Sequence, residues 1–222
     1  IMSQRALNLS VAGVLGSWAA YHTWHVEQRR QHTEHKLSLR QGIGTIDDLT
    51  ADRLKSGDIL VFERDCSALH APLAAHCAMT KLLLQESLDH VGIVIKDKNR
   101  QPAVLEAKPW HRVSVTPFAK RMAMDTDRQV LLRPLQLPQG DERKKQRIHD
   151  RLTTFAQSAC SSSKVPTMAK DSVGLVLNGL LKARVLEPDS QLHLIKPGDL
   201  ARDGVDLGGG VRFGEVVPLR SR

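Results

Sequence analysis

The runs that can form β-strands are gathered in the middle of this 222-residue chain, and helical patterns lie on either side of them. The strand-like runs are short and apolar or alternating, and they cover residues 59–62, 90–95, 103–107, 113–115 and 129–135. Longer segments with apolar residues at helical spacing cover residues 73–84, 141–159 and 171–185. Central strands with helices at both ends predict an α+β fold.

Shorter patterns complete this prediction. Residues 47–50 and 117–124 read as short helices, and Asp97-Lys98-Asn99-Arg100 has the polar content of a hairpin turn. A glycine triplet at 208–210 precedes a final apolar run, which predicts a last strand over residues 211–217.

An uncharged segment, residues 6–24, opens the chain. About 20 such residues are needed to span a bilayer, so its length just suffices. Trp18, Tyr21 and Trp24 are residues of the kind found at membrane interfaces, and small residues around Gly16 permit close helix packing. We expect a single-pass membrane helix at residues 7–24, with a helix docked on protein or a signal-peptide segment as alternatives.

This segment divides the chain into three parts. Residues 1–24 form the hydrophobic helix, residues 25–44 a polar helical stalk and residues 45–222 the folded domain. The chain starts with Ile1 rather than Met, which hints at a removed presequence and at a mitochondrion, with the inner membrane as the expected location.

The net charge and the aromatic content limit the classes of partner that this chain can bind. Lys and Arg total 32 against 24 Asp and Glu, giving a net charge of +8, which suits nucleic acid, an anionic membrane or an organelle lumen. Aromatic residues make up only 4%, which disfavours single-stranded nucleic acid as a partner. The expected partners are the bilayer and the other subunits of a membrane complex.

Cysteines and histidines give no metal-site signal. Cys66, Cys77 and Cys160 are an odd set without C-x-x-C spacing, which argues against a disulfide framework and a structural zinc site. The pairs His22/His25 and His32/His35 have helical i, i+3 spacing but no accompanying carboxylate signature. We therefore expect no metal and no cofactor.

The chemically suggestive pattern begins at His90, which opens a β-branched run just after Asp89. Glu106 lies in the next strand-like run, where an acid could orient an imidazole base. A nucleophile would then belong at the start of a later helix, where the helix dipole lowers a thiol pKa. That first turn contains Ser172 instead of a cysteine.

Four motifs in this order resemble the permuted papain-like amidases, the YiiX-like branch of the NlpC-like cysteine peptidases. They are Lys55-Ser56-Gly57-Asp58-Ile59-Leu60, Asp89-His90-Val91-Gly92-Ile93-Val94, Val104-Leu105-Glu106-Ala107, and the late helix followed by Lys196-Pro197-Gly198-Asp199-Leu200-Ala201. The resemblance covers residues 45–217 and implies a circularly permuted papain-like domain.

The resemblance implies that His90 is the general base, that Glu106 orients it and that the nucleophile heads the late helix. Aligning Leu175-Val176 with the family pattern Cys-Ser-Glu-Leu-Val puts Ser172 at the nucleophile and Gly174 at the glutamate. Serine needs a stronger base than cysteine does, so the three catalytic positions are expected to be vestigial. A serine hydrolase and a displaced cysteine nucleophile are the alternatives.

Two classes of function follow. The first is a catalytically inactive amidase-fold accessory subunit of a membrane complex, such as a mitochondrial respiratory or ATP synthase assembly. The second is an active membrane-associated cysteine or serine hydrolase or acyltransferase that acts on amide or lipid ester substrates. A mitochondrial ribosomal protein is a third option that the charge permits but the scarce aromatic residues and the apolar helix disfavour.

Overall fold

A computed structural model describes residues 4–39, 46–97, 99–108, 112–124, 126–137, 142–161, 171–187, 195–202 and 211–221. Its helices are α1 (Gln4–Leu39), α2 (Ile46–Arg53), α3 (Ala71–Leu84), α4 (Phe118–Ala123), α5 (Glu142–Ser161), α6 (Ser172–Lys182) and α7 (Pro197–Leu200), with a 3₁₀ turn at Cys66–Ala68. Its strands are β1 (Ile59–Arg64), β2 (His90–Lys96), β3 (Pro102–Lys108), β4 (Arg112–Pro117), β5 (Asp127–Arg133), β6 (Leu135–Gln136), β7 (Arg212–Phe213) and β8 (Val217–Ser221). The α+β prediction is confirmed.

An antiparallel sheet in the order β4-β3-β2-β1-β5-β8 forms the centre of the domain. Alternate residues of each strand enter separate cores: Ile59 and Val61 pack with α5 and α6, whereas Leu60 and Phe62 pack with α4 on the opposite face. Because both faces are covered, β1 and β2 read as continuous apolar runs rather than as alternating strands.

The long helices on the first face follow the predicted patterns. Helix α5 buries Ile148, Leu152 and Phe155, which share one face at helical spacing. Helix α6 begins at Ser172, and the Asp171 side chain accepts a hydrogen bond from Gly174 N at 2.6 Å, so Asp171 is its N-cap.

The N-terminal segment forms part of one continuous helix, α1, which includes both the expected membrane helix and most of the expected stalk. Val14, Leu15, Trp18, Tyr21 and Trp24 are exposed on it. Within the described ranges, no helix combines the length and mean hydropathy needed to cross a bilayer.

The end of the chain differs from the sequence prediction of one strand over residues 211–217. Strand β7 pairs with β6, whereas β8 joins the edge of the main sheet beside β5. The two halves have different partners because β5 and β6 are themselves separate strands. Pro134 lies between β5 and β6 and has no backbone N–H for a strand ladder, so the chain that pairs with them is likewise divided into β7 and β8.

Two of the cysteines form a bond that the sequence analysis did not predict. Cys66 and Cys77 form a disulfide across 11 residues, and Cys160 is free. This is one local bridge between the 3₁₀ turn and α3 rather than a framework that holds the domain together. This bridge was not predicted from the sequence, because nothing in the spacing of the cysteines shows that α3 folds back over the 3₁₀ turn.

Candidate active site at the start of strand β2

Asp89 fixes the point at which β2 begins. Its carboxylate is buried and accepts hydrogen bonds from Arg64 N at 2.8 Å and Arg64 Nε at 2.7 Å. Its backbone N–H donates to the Phe62 carbonyl at 3.0 Å. The next residue, His90, is therefore held at the first position of the strand, opposite Phe62.

The sheet register brings Glu106 to His90. Glu106 pairs with Gly92, and since strand side chains alternate between faces, Gly92 and His90 share the face of Glu106. A Cβ at Gly92 would lie only 3.1 Å from Glu106 Cγ, so glycine leaves the space through which Glu106 reaches the imidazole. His90 Nε2 and Glu106 Oε1 are 3.1 Å apart.

Arg121 holds Glu106 from the other side. Its Nε donates to both carboxylate oxygens of Glu106, at 2.9 and 3.0 Å, and its Nη1 donates to Asp127 at 2.5 Å. The guanidinium also lies 4.2 Å from the centre of the Phe62 ring. All these polar side chains are buried, so the imidazole is attached to a fixed ionic network.

The charges in this network determine the state of Glu106. Burial by itself raises the pKa of Glu106, but the Arg121 guanidinium and the hydrogen bond from His90 outweigh it and lower the pKa to about 2. The flanking Glu106 and Asp127 carboxylates in turn outweigh the burial of Arg121 and raise its pKa. Glu106 is thus an anion at neutral pH, which suits it for orienting an imidazole.

Arg121 is the member of the site that sequence reasoning missed. Glu106 forms its ion pair with Arg121 in α4, a residue that the sequence analysis did not single out. A signal was present, because Arg121 lies three residues after Phe118 and shares its buried helical face.

Ser172 lies beside the first residues of β2. Helix α6 packs against β2 and β3 and begins at this residue. The Ser172 hydroxyl accepts a hydrogen bond from Val91 N at 3.3 Å, so the structure brings it against the residue next to His90. Across the described residues, no hydrogen bond joins Ser172 to His90.

The cysteines are poor substitutes for a nucleophile. Cys66 and Cys77 are joined as a disulfide and have no free thiol. Partial burial raises the pKa of the free Cys160 thiol, the opposite of the shift found in activated cysteines.

No cluster of three metal-ligating side chains occurs in the part of the chain that the structure describes. His22 and His25 pack against aromatic rings of α1, Trp18 for His22 and Tyr21 for His25. The side chains of His32 and His35 lie outside the described residues.

The oriented imidazole and the α6 N-terminus lie on different faces of the sheet: His90 is opposite Phe62 on the face of α4, whereas α6 packs with Ile59 and Val61 on the other face. The Ser172 hydroxyl accepts the Val91 N–H instead. A search against models of known protein families finds none that matches this chain, and a search of curated protein sequences finds no match.

Proposed function

We propose that this protein is a permuted papain-like amidase scaffold without a working nucleophile, which acts as an accessory subunit of a membrane complex. The observation that carries the proposal is the position of Ser172: it heads α6, and its hydroxyl contacts the backbone N–H of Val91, the residue after His90. The His90–Glu106 pair at 3.1 Å has the geometry of a base and its orienting acid, which supports the same assignment.

The chemistry of Ser172 supports the loss of activity. A serine nucleophile has to pass its proton to a base within hydrogen-bond reach. The hydroxyl accepts the Val91 N–H, and its side chain lies in a residue that is only 9% exposed. A buried hydroxyl held by backbone stabilises the contact between α6 and β2, which is a structural role.

The exposed apolar side chains support the accessory role. Val14, Leu15 and Tyr21 are each at least 60% exposed on α1, and Leu82 and Leu83 are at least 70% exposed on α3. Surface of this kind is typical of a protein interface or of contact with lipid. The proposed partners are neighbouring subunits at a membrane, with the mitochondrial inner membrane as the proposed location. The Cys66–Cys77 disulfide favours a domain on an oxidising side of that membrane.

Restoring the thiol tests the scaffold assignment. In a Cys160→Ser background, Ser172→Cys introduces the sole free thiol, and its thiolate absorbance at 240 nm is followed against pH. We expect a pKa below the ordinary value of about 8.5, because the helix N-terminus favours the thiolate and the proposed scaffold couples that thiol to His90. Adding His90→Ala should raise that pKa again.

Ser158→Cys in the same background is the matched control, because Ser158 is an exposed residue of α5. Its thiol should titrate in the ordinary range and should not respond to His90→Ala. An ordinary or raised pKa at position 172 that His90→Ala leaves unchanged would contradict the assignment.

An active serine hydrolase is the second candidate, and the intact His90–Glu106 pair is the observation that favours it. Reaction of the full chain with a fluorophosphonate probe separates the two. Labelling that disappears in both Ser172→Ala and His90→Ala would establish hydrolase chemistry, and the accessory-subunit proposal would then be wrong. The proposal expects no such labelling.

The membrane assignment has its own test. Full-length protein in isolated membranes should resist extraction by alkaline carbonate, and deletion of residues 1–24 should release it. If the full chain leaves the membrane with salt alone, or if the deletion changes nothing, the membrane assignment is wrong while the scaffold assignment stands.

A further inference from the structure

A groove of about 1200 Å³ lies at the end of the sheet opposite His90. Strand β2 runs from His90 to Lys96, so the groove is roughly 20 Å from the imidazole at about 3.4 Å per strand residue. The turn before β1 forms its floor, the β6–β7 pair forms one wall, and the first half of α5 forms the other. It is therefore separate from the candidate active site.

Basic side chains dominate this groove. They come from four different segments of the chain and are Arg53, Lys55, Lys96, Arg100, Lys145 and Arg212. We call the cavity that they line the basic groove. Among the lining residues that the structure describes, the acids are Asp58 and Glu142.

The two acids leave most of these cations unpaired. Asp58 is buried, and its carboxylate accepts hydrogen bonds from the backbone N–H groups of Lys55 and Leu135 at 2.7 and 2.8 Å. Glu142 pairs with Lys145 at 2.5 Å. Arg53 and Arg100 have no carboxylate within salt-bridge distance among the described residues.

Two lysines of the basic groove are also without a salt bridge in the described part of the chain. The side chains of Lys55 and Lys96 have no salt-bridge partner within the described ranges, although Asp58 lies near enough to both for an electrostatic effect. Like charges gathered in a concave surface raise the local positive potential and concentrate anions there.

Helix α5 presents a polar stripe to this space. Glu142, Lys145, Gln146 and His149 line the groove at helical spacing, while Ile148 of the same helix enters the core. His149 Nδ1 is 2.9 Å from Ser56 Oγ, which ties α5 to the floor. The basic groove is thus held open by packed elements on both sides.

From this arrangement we propose that the basic groove binds a ligand with several phosphate groups. Guanidinium groups match phosphate oxygens in a two-point geometry, and three arginines that are distant in sequence, Arg53, Arg100 and Arg212, line the groove. No phenylalanine, tyrosine or tryptophan is among the described lining residues, so the recognition is argued from charge rather than from aromatic stacking. A soluble polyphosphate compound and a multiply phosphorylated lipid headgroup share the chemistry that it recognises.

Titration of the full chain with inorganic tripolyphosphate by calorimetry tests the proposal. The variant Arg53→Gln/Lys96→Gln removes two groove charges, and Arg143→Gln/Arg147→Gln removes two exposed charges of α5 outside the groove. We expect the groove variant to weaken binding at least tenfold and the control variant less than twofold. Arg53→Lys/Lys96→Arg keeps the charge and should retain binding within about threefold, which separates lost charge from lost folding.

A second arm distinguishes the sources of phosphate. Flotation is measured with phosphatidylcholine vesicles that contain or lack a phosphatidylinositol bisphosphate. Attachment through α1 contributes equally to both measurements, so their difference reports binding of the phosphorylated headgroup. Groove-dependent binding of tripolyphosphate alone identifies a soluble ligand, and a groove-dependent increment on the phosphorylated vesicles identifies a lipid headgroup. If neither probe binds, or if groove and control variants lose equally in both arms, the proposal is overturned.

Discussion

Replacing Arg121 with glutamine should be among the most destabilising single polar changes in this domain. The substitution removes the cation that lies between the buried carboxylates of Glu106 and Asp127 and over the ring of Phe62. Both acids are buried, and an unpaired charge in the interior strongly lowers the free energy of unfolding. Breaking a buried pair from one side costs about 3–5 kcal/mol of unfolding free energy.

The lowered pKa of Glu106 gives a second value for the free energy by which its ion pair stabilises the fold. The difference between its ordinary value of 4.5 and its value of about 2, at about 1.4 kcal/mol per pH unit, corresponds to roughly 3 kcal/mol. Since the folded-state pKa is depressed, this stability is present above pH 4.5 and is lost as the pH falls towards 2. Without Arg121, burial dominates and the folded-state pKa of Glu106 should rise.

Urea unfolding followed by circular dichroism measures the effect at pH 7 and at several values between 5 and 2.5. Arg121→Gln should lose about 3–5 kcal/mol at pH 7, and the gap to the unmodified protein should narrow on acidification through the window from 4.5 to 2. Arg128→Gln is the control, because Arg128 is an exposed neighbour in β5 whose pair with Asp65 spans 3.5 Å. It should lose less than about 1 kcal/mol at every pH.

Two results would refute this reasoning. One is a loss below about 1 kcal/mol at neutral pH, as for an exposed ion pair. The other is a gap that stays constant or widens on acidification, since the structure attributes the gap to ionised Glu106.

Further predictions concern other parts of the domain. Gly92→Ala should lose about 1–3 kcal/mol, because the new Cβ would lie 3.1 Å from Glu106 Cγ and 2.7 Å from a methyl group of β3; unfolding in urea checks this, and an unchanged midpoint contradicts it. Cys66→Ser/Cys77→Ser should lose up to about 3 kcal/mol, the loop-closure value for their separation of 11 residues; non-reducing peptide mapping must first find the bridge in the unmodified protein. Burial raises the pKa of Asp58 to about 6, so the folded state binds its proton more tightly and stability should fall as the pH rises from 3.8 to about 6. Asp58→Asn should flatten that part of the pH profile, and an identical slope in this variant would assign it to other groups.

Local pattern in the sequence determined the elements of the fold. Apolar runs located β1 to β5, and the spacing of Ile148, Leu152 and Phe155 located α5, because buried faces impose their period on the chain. The pairing of His90 with Glu106 was also foreseen, although from a resemblance rather than from the residues alone. The division of the final segment into β7 and β8 was missed, since it depends on which sheet each half joins.

Tertiary structure decided the chemical state of the site. Lys108 and Arg112 are basic residues close to Glu106 in sequence, but α4 brings in Arg121, which with the hydrogen bond from His90 lowers the carboxyl pKa to about 2. The basic groove also depends on tertiary structure, because its cations come from four separate segments and look like scattered surface charges along the chain. Periodicity acts between residues a few positions apart, whereas electrostatic energy depends on distances in space, and those are set when the sheet and its helices pack.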